Sequence, residues 1–97
     1  MWVLSGAEPE GSAFVFRIKP GTVKTVGRAT RADFVMDAAL VSRLHCRLEA
    51  GDDALDVIDL QSTNGTYVND KRVSRARLAD GDRLKVGRVE LTVKMGT

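Results

Sequence analysis

Two polar stretches hold most of the residues that could do chemistry. They are Val41-Ser42-Arg43-Leu44-His45 and Gln61-Ser62-Thr63-Asn64-Gly65-Thr66. Between them they offer hydroxyls, a carboxamide, a guanidinium and loop N–H groups. Such a set suits an anion. A guanidinium presents a fork of donors, and hydroxyls and backbone N–H groups add charge-assisted bonds. A phosphate monoester, with about 1.5 to 2 negative charges at neutral pH, is a matching ligand. Composition alone also permits a plainer account, in which Ser, Thr, Asn and Gly merely build turns.

Other chemistries fit these residues less well. A hydrolase built on Ser42 and His45 would need an orienting acid and an oxyanion hole, and the chain has no Gly-x-Ser-x-Gly elbow. The one histidine, His45, and the one cysteine, Cys46, cannot form a four-ligand zinc site. No metal and no cofactor are expected. A lone cysteine also excludes an internal disulfide. Cys46 falls on the apolar parity of its strand, so it reads as a small buried side chain. Asn64-Gly65-Thr66 matches a glycosylation acceptor, but Met1–Gly6 has no secretory character, so it is expected to go unused.

Lys71, Arg72, Arg75 and Arg77 place four cations within seven residues. They read as a solvated hairpin edge, or as a rim that attracts acidic residues around a phosphosite. Nucleic acid is disfavoured. The net charge is only +2, from 15 basic and 13 acidic residues, and Trp2 and Tyr67 are the only rings with polar handles.

The elements that must position the two stretches are strands. Phe14, Phe16 and Ile18 alternate with Val15 and Arg17; Cys46, Leu48 and Ala50 alternate with Arg47 and Glu49; Val89, Leu91, Val93 and Met95 alternate with Glu90, Thr92 and Lys94. Period two with turn signals between the runs predicts an antiparallel sandwich or barrel without a long helix. The expected strands are 1–5, 13–19, 23–27, 34–36, 45–50, 55–60, 66–69, 71–73, 82–87 and 89–95. Leu55–Leu60 breaks phase, which suggests a bulge or a strand covered on both faces. Strands 45–50 and 55–60 are joined by four residues, Gly51–Ala54, and should form a hairpin. If Ala50 faces Leu55, then His45 faces Leu60 and Ser42 falls near Thr63. The two polar stretches then lie side by side, and the acidic turn at Asp52 and Asp53 goes to the opposite end.

At 97 residues the chain is sized for one domain. No apolar run approaches the ~20 residues of a membrane helix. The expectation is an intracellular protein of the cytoplasm, or of the nucleus in a eukaryote, with no membrane partner.

At the polar stretches the sequence resembles the forkhead-associated (FHA) domain family. The matching pieces are Gly27-Arg28, Ser42-Arg43-Leu44-His45 and Asp59–Asn69, with Leu78–Asp82 and Val86-Gly87 also in place. Their order and spacing form the signature, and the resemblance spans about residues 1–95. It implies an eleven-stranded antiparallel β-sandwich of two sheets with adjacent termini. It also implies a non-catalytic module that binds phosphothreonine in a partner protein or peptide. Carried over by position, Arg28 resembles the arginine that reaches the phosphate. Ser42 resembles the serine whose hydroxyl and N–H hold phosphate oxygens, and Arg43 sits where a further phosphate donor is frequent. Thr63 resembles a second hydroxyl and N–H contact. Asn64 resembles the asparagine that bonds the peptide main chain. Gly27, His45 and Gly65 match supporting positions, His45 by tying loops together. Leu40, two before the serine, implies an apolar preference at the third residue after the phosphothreonine, which the loop at Gly87 and Arg88 could modify. Asn69-Asp70 departs from the usual Asn-Gly, and Ala29 stands where a hydroxyl is frequent. The reading is a single domain over 1–97, alone or within a larger protein, acting as a monomer. The alternative is a phospho-independent scaffold or oligomerisation domain that uses a sheet face.

Overall fold

A computed structural model describes residues 1–96 of the chain. Alternating apolar residues become eleven strands. In chain order they are β1 (Trp2–Ala7), β2 (Ala13–Ile18), β3 (Val23–Gly27), β4 (Phe34–Val35), β5 (Cys46–Ala50), β6 (Leu55–Asp59), β7 (Thr66–Val68), β8 (Lys71–Val73), β9 (Arg75–Leu78), β10 (Arg83–Val86) and β11 (Val89–Met95). One sheet runs β2-β1-β11-β10-β7-β8 and the other β4-β3-β5-β6-β9. There is no helix among the described residues.

The inward parity of each strand fills the space between the sheets. Trp2, Leu4, Ile18, Leu84, Leu91 and Val93 come from one sheet, and Val26, Leu48, Leu55, Val57 and Leu78 from the other. Cys46 is fully buried among them, and burial pushes its thiol up to about 12, so it stays protonated. Trp2 satisfies its indole N–H on the Gly51 carbonyl at 2.9 Å, which removes its ring from any stacking role. The termini meet: the Met1 amine donates to the Gly96 carbonyl at 3.1 Å, and the Gly96 N–H to the Met1 carbonyl at 2.9 Å.

Three expectations change. First, the sequence pattern predicts ten strands and the described residues form eleven; the additional one is β9. Its arginines look like surface charge, yet they alternate with Ala76 and the buried Leu78. They cover the outer sheet face as ion pairs: Arg75 and Arg77 each approach Asp56 at 3.2 Å, and Arg75 lies 3.6 Å from Glu49. Burial alone would raise the Asp56 carboxyl, but the two guanidinium groups outweigh it and lower it. Second, the sandwich is not wholly antiparallel, because the short β4 runs parallel to β3. Third, β6 contains no bulge. Its register with β5 is continuous from Ala50↔Leu55 to Cys46↔Asp59. The apparent phase break arises because Asp59, a carboxylate, takes the inward position after Leu55 and Val57. The exposed large hydrophobics, Met1, Val15, Val23, Val35 and Leu40, lie on different elements rather than in one apolar face.

Candidate functional site

The hairpin register sets the site. With Leu55 opposite Ala50, the Leu60 N–H donates to the His45 carbonyl at 3.0 Å. The two polar stretches therefore meet at one end of the sandwich, where the Thr63 N–H donates to Ser42 Oγ at 3.0 Å.

Arg28 leaves the end of β3 directly. A side chain at Gly27 would overlap the Arg43 carbonyl, so only glycine lets the 42–44 segment lie against the strand end. That approach is held by Arg28 N–H to the Ser42 carbonyl (3.0 Å) and Ala29 N–H to the Arg43 carbonyl (3.1 Å). The Arg28 side chain is exposed, and its Nε donates to the Val41 carbonyl at 3.1 Å. Its two terminal nitrogens have no partner among the described residues.

His45 lies just before β5 and is completely buried. The Ser42 N–H donates to its Nδ1 at 3.1 Å, so Nδ1 must be unprotonated. Nε2 then carries the proton and donates to the Gly65 carbonyl at 2.8 Å. Burial pushes the imidazole pKa down, opposed in part by the Gly65 carbonyl and by Asp59. A neutral ring with both nitrogens engaged is a brace between loops.

The second loop closes around Asp59. Ser62 donates its N–H at 3.2 Å and its hydroxyl at 2.5 Å, and the buried Thr66 hydroxyl donates at 2.8 Å. Ser62 Oγ in turn accepts the Gly65 N–H at 3.0 Å. Burial would raise the Asp59 carboxyl, but these donors outweigh it and hold it low.

These braces open a groove of about 360 Å³ lined by Arg28, Leu40, Val41, Ser42, Thr63 and Asn64 together with Ala38 and Ala39. Asn64 crosses its mouth, donating Nδ2 to the Leu40 carbonyl at 3.2 Å. Leu40 is exposed and has φ of 68°. A second concavity of about 360 Å³ lies at the opposite end, at the acidic turn, lined by three carboxylates, Glu49, Asp53 and Asp56, and one cation, Arg77, a balance that disfavours an anion.

Of the residues singled out from the sequence, Arg28, Leu40, Ser42, Thr63 and Asn64 share this groove. Arg43 is exposed on the same loop, between Ser42 and His45. Gly27, His45 and Gly65 support it. Gly87 packs behind it: a β-carbon there would fall 2.7 Å from the Ala39 carbonyl oxygen, so this glycine shapes the 38–41 loop. Arg88 does not line the groove; it borders a separate concavity of about 200 Å³ with Glu8, Pro9 and Glu10. That acidic β1–β2 turn stands at the same end as the binding loops, so acidic turns occupy both ends of the sandwich.

The N–H groups of Ser42 and Thr63 are also placed otherwise than the resemblance implied. Both are committed inside the protein, to His45 and to Ser42 Oγ, which leaves the two hydroxyls to face outward chemistry. Sequence reasoning gave no role to Val41, Asp59, Ser62 or Thr66. For Asp59 the signal existed, since it shares the parity of Leu55 and Val57.

The FHA domain profile matches residues 24–87. Over 106 aligned residues the chain is 33% identical to the glycogen accumulation regulator GarA of Mycobacterium tuberculosis, covering 96% of this chain and 65% of that protein. It is 39% identical over 80 residues to an ABC transporter ATP-binding/permease protein of the same species, covering 82% of this chain and 9% of that one. The chain thus spans less than two thirds of the length of either relative. Among solved structures, the FhaA FHA domain complexed with the intracellular domain of Rv3910 superposes with a TM-score of 0.84 at 32% identity, covering 97% of this chain and 100% of that one. A domain studied for phosphothreonine-dependent FHA domain interactions gives 0.83 at 32% identity, with 98% of each chain covered.

Proposed function

The chain belongs to the FHA domain family, and on that premise we propose that it is a non-catalytic module that binds phosphothreonine segments of partner proteins. The observation that carries the reading is the groove that gathers Arg28, Ser42, Thr63 and Asn64 from three separate loops. In this reading Arg28 spends one N–H on Val41 and offers its terminal nitrogens to the phosphate. Ser42 Oγ accepts from Thr63, so its own proton points to a phosphate oxygen. The Thr63 hydroxyl and Arg43 add donors. Asn64 has one N–H on Leu40 and keeps Oδ1 and its second N–H for the peptide main chain.

Charge-assisted bonds contribute roughly 1.5–3 kcal/mol each, so losing one weakens binding about tenfold or more. The threonine methyl adds about 0.8 kcal/mol. Unphosphorylated threonine is thus rejected by charge, and phosphoserine more weakly by packing. Leu40 reads an apolar third residue after the phosphothreonine; Gly87 shapes its loop, and Arg88 stands apart.

Several features support the absence of catalysis in this reading. Ser42 presents its N–H rather than its hydroxyl to His45, and both ring nitrogens are occupied, so the pair is not arranged as nucleophile and base. We take residues 1–97 as one domain, alone or in a larger protein, monomeric, intracellular where kinases write the mark, and without a nucleic-acid partner.

Calorimetry tests this with a phosphothreonine peptide, its phosphoserine and bare-threonine forms, and the Arg28→Ala variant. The expected order is phosphothreonine over phosphoserine over threonine, with Arg28→Ala losing tenfold or more. Equal binding of phosphothreonine and threonine peptides would overturn it.

A further inference from the structure

The four cations at 71–77 do not act as one patch. Arg75 and Arg77 are engaged on the outer sheet face by Asp56 and Glu49. Lys71 stands opposite Val68 at the far end of the β7–β8 pair. Arg72 is different. It pairs with Tyr67 across that ladder, is exposed, and enters no salt bridge or side-chain hydrogen bond among the described residues. Its side chain turns back onto Gly65: a β-carbon there would fall 2.7 Å from Arg72 Nε and 3.1 Å from Cζ. The guanidinium therefore rests on the bare α-carbon of the residue next to Asn64.

Gly65 is itself held in place. Its carbonyl accepts from His45 and its N–H donates to Ser62 Oγ. Arg72 is thus laid against the braced loop. Two extended residues span about 7 Å at most, so the Gly65 α-carbon against which the cation rests lies within that reach of the Thr63 α-carbon. An extended bound peptide advances about 3.5 Å per residue, so a few residues of it cover this separation.

We propose that Arg72 is a specificity-determining residue that pairs with a second anionic side chain one to three residues from the phosphothreonine. This rests on the phosphothreonine reading of the groove. An unpaired guanidinium laid against the loop offers its fork to a carboxylate or a second phosphate. The favoured partners are therefore acidic or doubly phosphorylated segments.

The test is a peptide scan by fluorescence anisotropy. A phosphothreonine peptide with alanine at all flanking positions is compared with peptides bearing one aspartate or one phosphothreonine at each flanking position in turn. Exposed ion pairs contribute about 0.2–1 kcal/mol, so aspartate at the matching position should tighten binding about 1.4- to fivefold. A second phosphate should gain more. Arg72→Gln should erase that gain and leave the single-phosphothreonine peptide bound as before, which also reports that the variant is folded. Arg72→Lys should keep part of the gain. Lys94→Gln, an equal loss of charge at an exposed position that enters no salt bridge, should keep all of it. A gain that survives in Arg72→Gln, or no gain at any position, would overturn the role of Arg72 while phosphothreonine dependence stood. Equal binding of the threonine and phosphothreonine peptides would instead remove the groove reading and this proposal with it.

Discussion

Leu40 is exposed and sits in the left-handed region with φ of 68°, a conformation that costs a side-chain-bearing residue about 1–2 kcal/mol. The Asn64 carboxamide on its carbonyl offsets part of that cost. Strain beside this groove accords with the proposed display of Leu40 for contact with a ligand. Leu40→Gly should therefore raise the unfolding free energy by up to about 1 kcal/mol in urea titrations, because glycine takes this φ without a clash. The same variant should lose its preference among peptides differing at the third residue after the phosphothreonine. A fall in stability, or an unchanged preference, would contradict this. Arg28 makes a sharper case. A lysine has no rigid fork and cannot both bond Val41 and present two further donors in fixed geometry. Arg28→Lys should cost about tenfold in phosphopeptide affinity with an unchanged melting temperature. The place of both residues at the groove was legible in the sequence. The strain at Leu40 was not, because nothing in its neighbours marks a leucine for positive φ.

Among the elements, the β7–β8 hairpin is the least well matched to its residues. Asn69 and Asp70 both have positive φ, 48° and 71°, as the two central residues of a type I′ turn require. Asn69 is supported: its N–H donates to the Arg83 carbonyl at 2.9 Å, and its Oδ1 accepts the Arg83 N–H at 3.0 Å. Asp70 has only an exposed contact to Arg83 at 3.5 Å, which contributes little. Asp70→Gly should stabilise the domain by about 0.5–1 kcal/mol, a rise of roughly 2–8 °C in Tm for a chain of this size. Phosphopeptide affinity should not change. An equal or lower Tm would show that the aspartate does more at the turn than the geometry indicates. This turn was legible because Asn-Asp is a turn signal. β9 was not, since Arg-Ala-Arg-Leu offers only one large apolar residue and its arginines need Asp56 from another strand to become a sheet face. Asp59 was missed for the reverse reason. A carboxylate on the inward parity reads as an interruption of the strand until Ser62 and Thr66 are seen to satisfy it.

At the scale of the molecule, His45 joins the two sheets at the binding end. It precedes β5 in one sheet and bonds Gly65, which precedes β7 in the other. The family resemblance implied a loop brace at this position; alternation did not predict its burial, because His45 falls on the outward parity of its strand. Since its pKa is lowered in the folded state, the unfolded chain takes up the proton first as pH falls. The unfolded state then binds more protons than the native one, and stability must decrease. The decrease begins near the unfolded value of about 6.5 and ends below the depressed folded value. Its slope cannot exceed that of one proton, about 1.4 kcal/mol per pH unit. Asp59 acts in the same direction but lower. Its folded pKa is depressed, so its stabilisation is present above about pH 4 and is lost as pH falls through the folded value. Urea titrations without peptide should therefore show stability falling from about pH 6.5 downward, then a second fall below about pH 4. Leaving peptide out removes the phosphate's own titration near pH 6. With one histidine in the chain, His45→Gln should flatten the upper window and keep the lower, at a cost of about 1–3 kcal/mol from the lost brace. Protonation also places a hydrogen on Nδ1, where the Ser42 N–H now points. Phosphopeptide affinity should thus fall further in the upper window than phosphate protonation accounts for, and that excess should vanish in His45→Gln. Constant stability between pH 7.5 and 5.5 in the unmodified protein would show that His45 does not couple the two sheets in this way.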